Sequence, residues 1–158
     1  MPGSVRPGDE ASGRRFCLVA ARFNQAYVER LVSAAAELLR RHGVAEADLE
    51  TVWVPGSLEL PLACRWAAES GRFDAVLAFG VVVRGETEHF RLVADNAVHG
   101  LARVALDTGV PVLNGVLAAH HVGQIADRTG GLHGNRGAEV ALAAVQMANL
   151  RRTRENRP

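Results

Sequence analysis

Apolar residues in this chain recur in two rhythms, and the points where one gives way to the other divide it into alternating elements. Short apolar runs at 16–21, 49–54, 75–79 and 110–117 have the length and content of strands covered on both faces. Between them the apolar positions step by three and four. Val28, Leu31, Val32, Ala35, Leu38 and Leu39 predict a helix ending near His42 and closed by Gly43. A second helix is predicted over 60–70, with Pro61 tolerated in its first turn and Gly71 closing it. Phe90, Val93, Ala97, Leu101, Val104 and Ala105 mark a third, and further helices follow at 122–127 and 138–152. Strands and helices alternating at this spacing predict right-handed βαβ units. The expected fold is therefore α/β, a three-layer α/β/α sandwich around a central four-stranded parallel sheet.

Composition changes this picture little. With 158 residues, 48% hydrophobic, 22% charged and a net charge of +1, the chain suits one domain with a useful core and has no bulk attraction for nucleic acid. Residues 1–15 contain Pro2, Gly3, Pro7, Gly8 and Gly13, which deny them a regular element, so they read as a flexible arm, disordered or ordered by a neighbour. The domain then spans 16–152 and a basic tail 153–158, the last of four terminal arginines (Arg151, Arg152, Arg154, Arg157) falling near its end. Cys17 and Cys64 lack CxxC spacing, which suits two reduced, buried thiols in a cytoplasmic protein. The arm carries no apolar core of a signal peptide, and no apolar run reaches membrane-spanning length, so no membrane association is expected.

Candidate chemistry concentrates at the predicted carboxyl ends of the strands, where open parallel sheets bind ligands. The stretch 80–90 reads as a glycine, a turn carrying Arg84, a second glycine and a helix opened by Glu86 and Thr87. Such a turn offers backbone N–H groups and a positive dipole end to a phosphate or carboxylate. Its glycine spacing also matches a nucleotide phosphate loop, but Glu86 stands where that loop needs lysine, which argues against a triphosphate. His89, expected one turn into the helix, can move protons near neutral pH. Phe23, the segment Ser57-Leu58-Glu59 and Asn114 are expected on the same rim, with Arg128 and the glycines at 130, 131 and 134 within reach. Asn24 is a reasonable helix N-cap. Taken singly, Phe23 would serve a core and Glu59 a helix dipole. His120, His121 and His133 have no partner ligands at recognisable spacing, so no metal is expected.

Four segments together resemble lumazine synthase, the enzyme family of riboflavin biosynthesis, over nearly everything from residue 20 to 150. They are Ala21-Arg22-Phe23-Asn24, then Val54-Pro55-Gly56-Ser57-Leu58-Glu59-Leu60-Pro61, then the whole of 80–90, and last 124–128 with Gly134-Asn135-Arg136-Gly137. The resemblance implies a flavodoxin-like fold and the condensation of 5-amino-6-(D-ribitylamino)uracil with 3,4-dihydroxy-2-butanone 4-phosphate, without metal or organic cofactor. It implies that Phe23 packs on the pyrimidine and that Ser57, Leu58 and Glu59 hold the ribityl chain. Val81, Val82 and Val83 would present backbone groups to the uracil edge. Glu86 and Thr87 would lie beside the phosphate-bearing substrate, Arg128 would bind its phosphate, and His89 would donate the proton, with Glu139 near it and Arg136 supporting.

Three positions depart from the family pattern: Asn114 replaces a frequent aromatic that faces the pyrimidine, Ala118-Ala119 replaces a pair containing threonine, and Arg136 replaces lysine. They leave room for an alternative, a paralogue that binds a lumazine or flavin without turnover. The resemblance further implies a homo-oligomer, a pentamer or a pentamer-based decamer or 60-mer, with each site shared between subunits. The arm would then add a strand to the next subunit's sheet. Riboflavin synthase is the candidate protein partner.

Overall fold

In the computed structural model, which describes residues 3–156, four strands form one parallel sheet in the order β2-β1-β3-β4. The strands are β1 (Phe16–Ala21), β2 (Leu49–Val54), β3 (Ala75–Val83) and β4 (Val112–Ala119). Successive side chains of a strand point to opposite faces, and in β1 both faces are filled. Phe16, Leu18 and Ala20 enter one core, while Cys17, Val19 and Ala21 enter another. That is why the run is apolar without alternation. The first core is closed by α1 (Gln25–Arg41) and α5 (Arg136–Glu155), and the second by α2 (Leu60–Glu69) and α3 (His89–Thr108). The expected α/β sandwich is present.

The two central strands match expectation at their starts, but the ends of β3 and β4 lie further along. β3 continues past Phe79 to Val83 because Gly80, Val81, Val82 and Val83 pair with Val116, Leu117, Ala118 and Ala119. Each strand carries the other beyond the point where its own sequence suggests a stop. At its start β4 opens at Val112, and Pro111 uses its carbonyl to accept a bond from the Val76 N–H at 2.9 Å. The glycine-rich loop contains a small antiparallel pair, β5 (Thr129–Gly131) with β6 (Gly134–Asn135), reached through the short helix α4 (Val122–Arg128).

Helix α5 begins two residues before the predicted Ala138. The Asn135 side chain accepts a hydrogen bond from the Gly137 N–H at 2.7 Å, supplying an N-cap, while its amide donates to the Arg30 carbonyl at 3.2 Å. Its other end reaches Glu155, where Arg151 pairs with that residue at 2.9 Å.

Residues 3–15 form no helix or strand, in keeping with Gly3, Pro7, Gly8 and Gly13, and residues 8–15 are tied down by side chains. Asn149 on α5 donates to the carbonyls of Gly8 and Glu10 at 2.8 and 2.9 Å and accepts from Arg14 Nε at 2.8 Å. Ala11 is fully buried and its N–H donates to the His42 carbonyl. Pro2 and Arg157, assigned to the arm and the tail, lie outside the described residues.

The crossing of α5 on α1 leaves no space at Gly137, where a Cβ would collide with the Leu31 carbonyl of α1. Gly137→Ala is expected to lower stability by about 1–3 kcal/mol through overpacking, read as a lower urea midpoint. Gly8→Ala, which meets nothing within 4 Å, should leave the midpoint unchanged.

Candidate active site

The carboxyl ends of β1 and β2 are bound to each other before any side chain is considered. Past the end of β1, the Arg22 N–H donates to the Val54 carbonyl at 2.8 Å and the Phe23 N–H to the Pro55 carbonyl at 3.2 Å. Asn24 then takes φ 60° and ψ 40°, the one positive φ at a non-glycine position among the described residues. Asparagine tolerates this left-handed conformation better than most residues. Its amide donates to the Val81 carbonyl at 2.8 Å, fastening the β1 loop to β3. Asn24 does occupy the N-cap position of α1, but its side chain makes no cap bond and serves β3 instead, which corrects the capping expectation.

Phe23 is thereby held on the rim with its ring 75% exposed. A core role for it is excluded. Next to it Ser57, only 5% exposed, opens a single turn over Ser57–Glu59 ahead of α2. Ser57 sits on Gly80: a Cβ there would strike its Oγ and lie 3.2 Å from Leu60 Cδ1. Gly80 is thus an ordinary strand residue whose missing side chain makes room for Ser57. The reading of 80–90 as a turn between two glycines is corrected accordingly, since neither Gly80 nor Gly85 has positive φ.

The helix after this stretch starts at His89, so the imidazole sits at its first residue rather than one turn in. Thr87 Oγ1 accepts from the His89 N–H at 3.3 Å. Arg84 turns to the chain's own groups: its guanidinium carbon lies 5.9 Å from the Phe90 ring centroid and its Nη2 lies 3.8 Å from Glu88.

These ends enclose a cavity of about 380 Å³, whose lining includes Phe23, Ser57 to Glu59, Val81 to Val83, Thr87 and His89. Its wall is mostly apolar, with hydroxyls, a carboxylate and an imidazole set into it. Such a wall can take up a flat ring and a hydroxylated chain and can offer a proton. Asn24, Phe90 and Val93 also border the cavity, and the sequence reading assigned none of them to the site. The signal for Asn24 was its residue type at a strand end; Phe90 and Val93 had been read only as a helix face.

The remaining candidates lie elsewhere. Glu86 is exposed in the turn between β3 and α3 and is outside the cavity lining. Asn114 is within β4, opposite Ala78 and five residues before the strand ends, and its Oδ1 accepts from the Val116 N–H at 2.9 Å. Arg128 borders a second cavity of about 210 Å³, with Phe90, His120 and Gln124 in its wall, and donates to the Gln124 carbonyl at 3.0 Å. Arg136 and Glu139 pair with each other at 2.8 Å. The chain alone therefore brings together most of the candidate site but not Glu86, Asn114, Arg128, Arg136 or Glu139.

Both cysteines are buried and unpaired in the second core. Burial, with a smaller contribution from the Glu50 charge, pushes the Cys17 thiol up to about 12. Burial likewise raises Cys64, helped by neighbouring Cys17. Neither forms a useful thiolate at neutral pH. Among the described residues no group of three or more His, Cys, Asp or Glu gathers to hold a metal, and no helix is long and apolar enough to cross a membrane.

The Asn24 corner is separable into backbone and side-chain parts. Asn24→Gly keeps the left-handed turn and loses the bond to Val81, an expected loss of about 1 kcal/mol. Asn24→Ala loses both and should cost about 1–2 kcal/mol more. Urea denaturation of the two variants reads the difference; equal losses would mean that the left-handed turn contributes nothing.

Comparison with known proteins agrees with this geometry. A family model described as 6,7-dimethyl-8-ribityllumazine synthase matches residues 13–152. A protein of Halorhodospira halophila named 6,7-dimethyl-8-ribityllumazine synthase is 51% identical over 141 residues, covering 89% of this chain and 90% of that protein. Since the matched span contains every element that builds the cavity, from β1 to α3, the chain belongs to the 6,7-dimethyl-8-ribityllumazine synthase family.

Proposed function

We propose that this chain catalyses the family reaction, a transferase step of riboflavin biosynthesis. It condenses 5-amino-6-(D-ribitylamino)uracil with 3,4-dihydroxy-2-butanone 4-phosphate to 6,7-dimethyl-8-ribityllumazine. The ring amine attacks the ketone and water leaves to give an imine; phosphate is then eliminated, and the second nitrogen closes the ring with loss of another water. The observation that carries the reading is the convergence of Phe23, Ser57 to Glu59, Val81 to Val83 and His89 on one cavity.

In this reading the exposed Phe23 ring lies against the pyrimidine, and Ser57, Leu58 and Glu59 hold the ribityl hydroxyls. Val81, Val82 and Val83 meet the uracil edge through their backbone. His89 supplies and removes protons as imine and phosphate leave, with Thr87 and Glu86 beside the phosphate-bearing substrate. Arg128, a planar guanidinium suited to bidentate phosphate contacts, binds that phosphate. Arg136 and Glu139 support the far wall. Holding both substrates in contact supplies much of the acceleration.

The site so described needs a second copy, because Arg128 and Asn114 stand away from the chain's own cavity while the first substrate's groups line it. A homo-oligomer built on pentamers, with each site shared between neighbours, answers that need, and the larger 60-subunit icosahedral shell suits the short 130–137 segment. Large apolar side chains left in water on α2 and α3, Leu62, Trp66, Leu92 and Leu106, favour the same view. Unpaired buried thiols suit a cytoplasmic setting. Riboflavin synthase, which consumes the product, is the natural protein partner.

Mixing the full-length protein with both substrates should produce lumazine absorbance. His89→Ala is expected to slow it by about a hundredfold, within the range of acid–base catalysis, and Arg128→Ala should raise KM for the sugar phosphate. Riboflavin binding without product from either order of addition would instead favour the binding-only paralogue. Light scattering should give a mass of at least five chains; a monomer mass would contradict the shared site.

A further inference from the structure

We propose that Phe90 is a positioning residue that fixes where the His89 imidazole stands, and that Arg84 and His120 hold its ring in place. The proposal rests on the reading that His89 carries the proton. Six consecutive residues, Arg84 to His89, are exposed, and Phe90 is the first buried side chain after Val82, at 9% exposure. Few bonds restrain that turn: the Arg84 N–H donates to the Ala119 carbonyl of β4, the Arg91 N–H to the Glu88 carbonyl, Thr87 Oγ1 accepts from the His89 N–H at a long 3.3 Å, and the exposed Glu88 carboxylate lies 3.8 Å from Arg84 and 3.4 Å from Arg91. The start of α3, and with it the imidazole, is therefore anchored chiefly through the residue next to it.

The anchor is a small core of its own. Phe90 packs with Val82 and Ala94, with Val93 and Val116 against them, and only Val116 is shared with a main core. Two polar side chains close on the ring. The Arg84 guanidinium lies 5.9 Å from its centroid, a cation–π distance. The His120 ring meets it edge to face, centroids 5.9 Å apart at 63°. His120 is held in turn, its backbone N–H donating to Gln124 Oε1 at 2.9 Å. Phe90 also borders both cavities, the one lined by His89 and the one bordered by Arg128. Displacing this ring shifts the proton carrier relative to bound substrate, and a misplacement of about 1 Å can cost on the order of a hundredfold in rate.

The test is a double-mutant cycle on the full-length assembled enzyme. Phe90→Leu keeps an apolar side chain at the anchor and removes the ring. It is expected to lower kcat about tenfold with KM for both substrates within twofold. Placed on His89→Ala it should add no further loss, because there is no imidazole left to misplace. Equal losses in both backgrounds, or a change confined to KM, would overturn the positioning role. Arg84→Gln, on the surface, should lower kcat in the same direction and by less; an unchanged kcat there overturns the role given to the cation even if Phe90→Leu fails to assemble. A His89→Ala rate equal to the parent's would instead remove the reading of His89 itself.

Discussion

The two central strands, β1 and β3, are buried on both faces, and this constraint governs everything at the rim. With every side chain of β1 and all but the last of β3 inside one core or another, their backbones have no freedom to shift without exposing apolar area, at about 25 cal/mol per Å². Their carboxyl ends inherit that rigidity. The β1–β2 bonds at Arg22 and Phe23 and the Asn24 link to Val81 extend it one turn further, so an aromatic ring can be held in water without collapsing onto the protein. Charge plays a lesser part. Most of the ion pairs, such as Arg65 with Glu69 and Arg136 with Glu139, are between exposed side chains and contribute little.

Much of this was legible in the sequence because it follows from local pattern. β1 and β2 coincide with their predicted bounds, and α1 ends where glycine follows it. What the pattern could not carry was mutual. The extra residues of β3 and β4 exist only because each pairs with the other, and no window on either strand contains that fact. Gly80 shows the same limit. A glycine between a strand and a polar stretch reads as a turn, whereas its reason here is Ser57, distant in sequence and above it in space. Asn24 was noticed for the right property, a side chain that bonds near a helix start, and given the wrong partner, because the alternative acceptor lies on β3.

The candidate site divides along the same line. Residues at or just past a strand end, Phe23, Ser57 to Glu59 and Val81 to Val83, together with Thr87 and His89, do converge. Glu86, Asn114 and Arg128, which the strand-end reading also named, and Arg136 and Glu139, which only the family resemblance assigns, lie off the cavity lining in the single chain. Strand-end geometry is a property of one chain's topology, so the sequence can express it. A contact completed by a second chain has no spacing in the first.

That division has a physical logic for the proposed chemistry. The chain's own cavity offers apolar wall, hydroxyls, one carboxylate and one imidazole, a set suited to an uncharged ring and its ribityl chain but lacking any cation of its own. A phosphate drawn into such a place without a counter-charge would lose its hydration and gain nothing comparable. Arg128 borders another cavity, which Phe90 also lines, and among the described residues has only a backbone carbonyl as its hydrogen-bond partner, which leaves most of its guanidinium donors available. On the proposed reading, then, all the uncharged substrate's contacts but Asn114 come from one chain, whereas the cation for the phosphate arrives only where two chains meet, so that assembly itself supplies the electrostatic half of the site.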